Sequence, residues 1–215
     1  MKKMRVLGFK KCPSEHAIYC RGVDTEKLVV GVYVDDLIIT GASCNSIEKF
    51  KALMAEIFKM SDLGLLTYYL GIEVKQSSEG ITLSQGSYVK KILEKAGMVE
   101  CNPREVPMQA KLKLSRKSDS PCVDATEYRS WVGSLRYLVN TRPDLAFSVG
   151  YVSRFMEEHL AAVKHILRYI AGTSCLGLWY ARKKSDQPAL LEFSDSDFAG
   201  DIDNRKNTSR VIFLP

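Results

Sequence analysis

The sequence predicts an α+β fold in which a β-hairpin, a helix and a second β-hairpin precede a mainly helical region and a final set of strands. Two apolar, β-branched runs at 28–34 and 37–40 flank only Asp35 and Asp36, which is the pattern of a tight hairpin. After residue 45 the apolar residues recur every three or four positions, as on one face of a helix. The same helical period dominates the sequence after residue 125.

The elements between these regions follow from local signals. Asn45 or Ser46 is a suitable cap for the first long helix. The segment 65–74 has strand character, Glu79 and Gly80 form a turn, and 81–83 pairs back as the second arm of a hairpin. A helix over roughly 85–96 then ends at Gly97, a residue that tolerates the left-handed conformation.

Proline, serine and lysine are frequent in 101–124, which is therefore predicted to connect two parts of the chain. Helices follow, and Pro143 suits the first position of one of them. Lys164 and Arg168 lie on the polar side of the last helix, where a solvated face and a phosphate-contacting face are both compatible with the sequence. The segments 176–180 and 190–195 are predicted to be strands of a new unit.

Composition restricts the class of protein. The 215 residues are 46% hydrophobic, enough for a core, and carry a formal net charge of +6, which permits a polyanionic partner without requiring one. The six cysteines are scattered, and no run of residues is suited to a signal peptide or a membrane span. We therefore expect a soluble intracellular protein of the cytoplasm or nucleus, with no membrane partner.

Several kinds of site are absent from the sequence. It contains no zinc-ligand spacing, no phosphate-binding loop, no dinucleotide fingerprint and no Ser-His-Asp order. His16, His159 and His165 have no partners at catalytic spacing. We expect no small-molecule cofactor.

Asp35 and Asp36 are the strongest chemical signal. Two ionised carboxylates at the end of an apolar hairpin need a cation or solvent to compensate them. Mg²⁺ takes oxygen ligands and keeps positions for water and phosphates, so that paired metals can assist phosphoryl transfer. For an isolated Asp-Asp pair between strands, turn statistics favour an ordinary hairpin turn over a metal site.

The residues that flank this pair distinguish a metal site from an ordinary hairpin turn. The string from Val32 to Gly41, VYVDDLIITG, resembles the active-site hairpin of copia-type (Ty1/copia) retrotransposon reverse transcriptases. Similar strings follow in the family's order over about 28–209. They include SDLG at 61–64, YLGIEV at 69–74, VGSL at 132–135, TRPD at 141–144, SRFM at 153–156 and ILRY at 166–169.

The resemblance implies an RNA-directed DNA polymerase that uses Mg²⁺ or Mn²⁺. It implies a partial palm at 1–100, a linker at 101–124, a helical thumb or connection at 125–172 and a truncated start of ribonuclease H at 173–215. Asp35 and Asp36 would be catalytic metal ligands, and Tyr33 would pack near the incoming nucleotide. Leu70 and Gly71 would lie by the primer. The partners would be an RNA or DNA primer–template and the remainder of the polyprotein.

The acidic segment 193–201, FSDSDFAGD, is similar to the opening of that family's ribonuclease H domain. The resemblance makes Asp195 a metal ligand there. A solvated acidic loop is the alternative that the residues alone leave open. The remaining acids of such a domain would lie beyond Pro215, so we expect no cleavage of RNA.

Departures from the family pattern bear on activity. We find neither the third palm carboxylate nor the fingers, residues between Met156 and His159 are fewer than usual, and Asn207 and Arg210 replace Ser and Gly. We therefore expect the chain to be inactive by itself. The alternatives are a non-catalytic nucleic-acid-binding remnant and a relic without function.

Overall fold

The computed structural model describes residues 2–115, 124–155, 159–182, 191–196, 203–205, 207 and 209–214. The chain divides into two compact units, Met1–Leu66 and Thr67–Pro215. Both contain helices and antiparallel strands, which confirms the predicted α+β class. Among the helices that the structure describes, none has the length and apolar character needed to cross a bilayer.

The first unit is an antiparallel sheet with helices packed on one face. Its strands lie in the order β1-β2-β3-β4. The elements are α1 (Lys2–Val6), β1 (Lys10–Lys11), β2 (Ile18–Arg21), β3 (Leu28–Tyr33), β4 (Asp36–Gly41) and α2 (Cys44–Phe58).

Alternation along the strands creates the core of this unit. Leu28 and Val30 of β3 are buried and lie beside Tyr19 of β2, while Phe50 and Met54 of α2 fill the same cluster. Because successive strand residues point to opposite faces, one face of the sheet is apolar and receives the helix. This packing supports the base of the β3–β4 hairpin, where Leu28 pairs with Gly41.

Two details of the first unit differ from prediction. β1 and β2 were not predicted, although Ile18, Tyr19 and Cys20 before Gly22 form a short strand signal. The cap of α2 is Ser43, whose hydroxyl accepts a hydrogen bond from the Ser46 amide at 3.4 Å, so the predicted caps Asn45 and Ser46 were wrong. Ser43 is extended, as a capping residue must be, whereas the next residues are already helical.

The second unit combines a sheet, a helical core and a separate hairpin. The sheet order is β5-β6-β7-β8, and β9 pairs with β10. The elements are β5 (Tyr68–Tyr69), β6 (Ile72–Gln76), β7 (Gly80–Ser84), α3 (Gly86–Lys95), α4 (Ala125–Leu138), a 3₁₀ turn (Pro143–Leu145), α5 (Ala146–Val152), α6 (Leu160–Gly172), β8 (Gly177–Ala181), β9 (Leu191–Ser196) and β10 (Ser209–Leu214).

The sheet of this unit departs from prediction at both edges. The predicted strand 65–74 is interrupted by a turn at Leu70 and Gly71, so that β5 pairs back on β6. β8 pairs along its whole length with β7, and the prediction that 176–180 opens a new unit was therefore wrong. Local sequence gives no sign of this pairing because the two strands are almost 100 residues apart in the chain.

The predicted boundaries do not coincide with the compact units, whose division falls at Leu66 and Thr67. The described part of the predicted linker, 101–115, packs on the helices. Leu114 is buried and its amide donates to the Tyr151 hydroxyl at 3.1 Å, while the Arg168 Nε donates to the Asn102 carbonyl at 2.8 Å. The assignment of the predicted ranges to palm, thumb and ribonuclease H stays a prediction.

Tyr128 is fully buried in α4, and its hydroxyl donates to the Val152 carbonyl at 2.9 Å. Burial raises the pKa of Tyr128 to about 12. The unfolded chain ionises this group near its ordinary pKa of about 10 and the folded chain only near 12, so the free energy of unfolding is expected to fall as pH rises between those values. The full loss is about 3 kcal/mol.

Urea unfolding at a series of alkaline pH values checks this expectation. Tyr128→Phe removes the ionisable group while keeping the ring, so its alkaline loss of stability should be smaller than that of the wild type. Both proteins keep the other tyrosines, and the difference between the two curves therefore reports Tyr128. Parallel curves would contradict the prediction.

Candidate active site

The turn of the hairpin that carries the carboxylates lies one residue earlier in the chain than predicted. Tyr33 pairs with Asp36 at the ends of β3 and β4, so the two-residue turn consists of Val34 and Asp35. The prediction that Asp35 and Asp36 both form the turn was wrong, because the pairing continues to Asp36. Asp35 therefore lies at the tip and Asp36 opens the return strand.

Val34 has a left-handed backbone, with φ of +51°. This conformation costs a residue with a Cβ roughly 1–2 kcal/mol and is unusual for a β-branched side chain. Hairpin turns of two residues require a positive φ at their first position because it matches the twist of the strands. The pairing of β3 with β4 therefore holds Val34 in this conformation and places Asp35 beside it.

Solvent reaches the whole end of the hairpin. Asp35 and Asp36 are exposed, and the side chains of Tyr33 and Val34 are 51% and 82% exposed. Water therefore solvates both carboxylates, and their negative charges do not by themselves require a bound cation. The same exposure leaves the oxygens accessible to one.

The donor set at the tip suits a hydrated divalent ion. Asp35 and Asp36 are neighbours in the chain and offer carboxylate oxygens, the ligands that Mg²⁺ prefers, and Mg²⁺ commonly takes one or two carboxylates while retaining waters. Within the described ranges, no group of three or more His, Cys, Asp or Glu residues is placed to hold a metal ion. The two carboxylates therefore fit part of the ligand set of such a site.

A polar contact stabilises the loop that follows α2. Lys51 contacts Glu48 at 3.0 Å and Asp62 at 3.1 Å. Hydrogen bonds to Glu48 and Asp62 raise the pKa of Lys51. The pKa of Asp62 is lowered, mainly by a hydrogen bond from the Gly64 amide and then by one from Lys51. These groups are exposed, so their main effect is on the loop conformation.

The predicted primer-contacting residues form a turn of the second unit. Leu70 and Gly71 have φ of +48° and +82° and connect Tyr69 of β5 to Ile72 of β6. Two consecutive positive φ values are the geometry of a type I′ turn. The Leu70 side chain is 40% exposed, so the turn has an accessible apolar group at its tip.

The predicted phosphate contacts on α6 have different surroundings. Lys164 is exposed, whereas Arg168 is half-buried and its Nε donates to the Asn102 carbonyl at 2.8 Å. His165 lies between them in the chain, with its Nε2 at 3.1 Å from the Val106 carbonyl. Arg168 therefore has a structural contact that sequence reasoning did not anticipate.

The structure describes Asp195 by its backbone, which lies in β9 opposite Arg210 of β10. The rest of the predicted acidic motif, 197–201, lies outside the described residues. So do residues 156–158, where we predicted a shortened turn.

Two further polar arrangements were missed by sequence reasoning. The Tyr137 hydroxyl donates to the Leu70 carbonyl, and the buried Arg142 binds Asp144 through two hydrogen bonds. No local signal links Tyr137 to a turn 67 residues earlier. Arg142 and Asp144 flank Pro143 in the chain, and two opposite charges at this spacing do not by themselves indicate a buried ion pair.

Comparisons with known proteins agree with the resemblance of the hairpin. Residues 1–110 match the family described as reverse transcriptase (RNA-dependent DNA polymerase). The chain is 38% identical over 210 residues, 96% of its length, to the retrovirus-related Pol polyprotein from transposon RE1 of Arabidopsis thaliana. It is 36% identical to the corresponding polyprotein from transposon TNT 1-94 of Nicotiana tabacum, in an alignment of 228 positions that covers 98% of this chain.

The aligned region is a small part of those polyproteins, 14% of the first and 17% of the second. An uncharacterised mitochondrial protein of Arabidopsis thaliana is 37% identical over 182 residues, covering 83% of this chain and 75% of that protein. No solved structure matches the chain. The chain belongs to the reverse transcriptase (RNA-dependent DNA polymerase) family, in the form carried by the Pol polyproteins of copia-type transposons.

Proposed function

We propose that this chain supplies the catalytic hairpin and the primer-holding strands of an RNA-directed DNA polymerase that acts within a longer polyprotein. The observation that carries the proposal is the β3–β4 hairpin, which ends in exposed Asp35 and Asp36 beside Tyr33. The reaction is metal-dependent nucleotidyl transfer. Its partners are an RNA or DNA primer–template and the remainder of the polyprotein.

Each residue at the tip has a separate task. Asp35, at the turn, is the principal ligand, and Asp36, at the start of β4, is a supporting one. Bound Mg²⁺ or Mn²⁺ would neutralise the charge that develops on the transferred phosphate. Tyr33, half of whose surface is exposed, packs near the incoming nucleotide and the primer end.

The remaining contacts come from the second unit. Leu70 and Gly71 lie by the primer backbone, and Lys164 and Arg168 contact phosphates. Lys164 supports this assignment better than Arg168 does, because Lys164 is exposed and Arg168 already binds the Asn102 carbonyl. Asp195 would be the first metal ligand of a ribonuclease H site.

Primer extension by the isolated chain tests its dependence on the rest of the polyprotein. We expect no DNA synthesis above background with either Mg²⁺ or Mn²⁺, because the aligned region is 14% of the RE1 polyprotein and the third palm carboxylate was not found in the sequence. Robust synthesis by the isolated chain would refute that expectation.

A chimera tests the function itself. The whole chain replaces the matching segment of the RE1 polyprotein, whose alignment covers 96% of this chain. We expect metal-dependent extension of an RNA-templated primer by the chimera and none after removal of the divalent ion. A chimera that unfolds cooperatively on heating but extends no primer would overturn the proposal.

A further inference from the structure

The β5–β6 turn is poorly specified by its own residues. Type I′ turns favour Asn, Asp or Gly at the first central position because these residues adopt positive φ readily, yet Leu70 occupies it with φ of +48°. β5 is only two residues long, so few strand hydrogen bonds support the turn. The conformation therefore depends on contacts from elsewhere in the second unit.

Tyr137 of α4 supplies such a contact. Its hydroxyl donates a hydrogen bond to the Leu70 carbonyl. Its ring lies against Gly71, where an added Cβ would be 3.0 Å from Oη and 3.5 Å from Cε1. Because Gly71 has no side chain, it can adopt the positive φ and also allow the close approach of the tyrosine.

Tyr137 is itself held by the helices. The Tyr88 ring of α3 meets it edge-on, with centroids 5.1 Å apart and an interplanar angle of 86°. On the buried side of α4, Leu135 and Leu138 lie in the helical core. The turn is therefore tied to α3 and α4 through one phenol.

We propose that Tyr137 is a positioning residue that fixes the β5–β6 turn relative to α3 and α4, so that the turn holds the primer terminus in one place. This inference rests on the proposed function, in which Leu70 and Gly71 contact the primer. The half-exposed Leu70 side chain is the part of the turn open to a nucleic-acid strand, while its carbonyl is occupied by Tyr137.

Tyr137→Phe in the chimeric polymerase tests the inference, since it removes the hydroxyl and keeps the ring. We expect single-turnover incorporation on a recessed primer to fall about tenfold, because a misplaced reacting group slows chemistry steeply. Binding of a blunt duplex, which presents no recessed primer end, should be unchanged.

Tyr151→Phe is the matched control. It also removes a hydrogen-bonded hydroxyl, the one that accepts from the Leu114 amide at 3.1 Å, but at a place distant in sequence from the turn. A purely structural effect would slow both variants in proportion to their losses of melting temperature. We expect the slower incorporation in Tyr137→Phe alone.

Hydrogen exchange on the isolated chain measures the contact without activity. Amides of the 68–73 segment should exchange about fivefold faster in Tyr137→Phe and at the wild-type rate in Tyr151→Phe. Unchanged exchange in Tyr137→Phe, or unchanged incorporation in an active chimera, would overturn the inference. A folded but inactive chimera of the unaltered chain would overturn the proposed function, and this inference with it.

Discussion

Replacing Asp35 by Asn is expected to lower nucleotide incorporation by the chimeric polymerase by about 100-fold or more. The change removes one negative charge from the hairpin tip but keeps the size of the side chain and its ability to accept a hydrogen bond. Loss of one preorganised electrostatic group commonly costs at least this much. Asp36→Asn is expected to have a smaller effect, because Asp36 begins β4 and is the supporting ligand of the proposed site.

Glu56→Gln is the control for charge. Glu56 is exposed on α2, so the substitution removes the same charge from the same unit at a position outside the hairpin. Its rate should match that of the unaltered chimera. Rates of single-nucleotide incorporation at saturating metal and at several metal concentrations give the comparison. Equal rates for Asp35→Asn and Glu56→Gln would remove Asp35 from the catalytic site.

Arg142→Met is expected to destabilise the chain by about 3 kcal/mol. Arg142 is 2% exposed, and it donates to both carboxylate oxygens of Asp144 at 2.9 and 2.7 Å. It also donates to the carbonyl and hydroxyl oxygens of Thr173 at the end of α6, both at 2.8 Å. Removing the guanidinium takes a donor from each of these acceptors, although the Tyr169 hydroxyl still donates to the Asp144 Oδ2 at 2.9 Å.

The cost is placed at the lower end of the range for buried ion pairs, because the Asp144 side chain retains 36% of its exposure and water can replace part of the lost contact. Urea unfolding measures the difference in free energy. Arg136→Met, the same substitution at an exposed position of α4, should change stability by less than about 0.5 kcal/mol. Equal unfolding midpoints for the two variants would show that the network does not stabilise the fold.

Acid should weaken the same network. Burial alone would raise the pKa of Asp144, but hydrogen bonds from Arg142 and Tyr169 outweigh it and lower the pKa overall. A lowered pKa means that the stabilisation is complete above the ordinary pKa of Asp, about 4, and is lost as pH falls through that value and the lower folded one. Arg142→Met should therefore lose less stability than the wild type on acidification.

Much of the secondary structure was predictable because it follows local rules. The apolar alternation that forms β3 and β4, the helical period of α2, and Pro143 at the first position of a helical turn are each encoded within a few residues. The phase of the hairpin was missed by one residue. Val34 is a strand residue by propensity, and only the pairing of its neighbour Tyr33 with Asp36 places it in the turn.

In the candidate site, too, local features were predictable and features that depend on distant residues were not. The identity of Asp35 and Asp36 and their place at the end of a hairpin were predicted from neighbouring residues. Their exposure was not, because it depends on what packs around the tip. The contact of Arg168 with Asn102 was also beyond prediction, since it joins residues 66 positions apart.

The sequence alone determined the α+β class, the carboxylate pair and the family, because these depend on residue types and their spacing. Tertiary structure decided that β8 completes a sheet begun at β5, that 101–115 packs on helices, and that Tyr137 supports the turn at Leu70. Each of these joins segments distant in the chain. Their free energy comes from pairing and burial between those segments, and no local pattern records it.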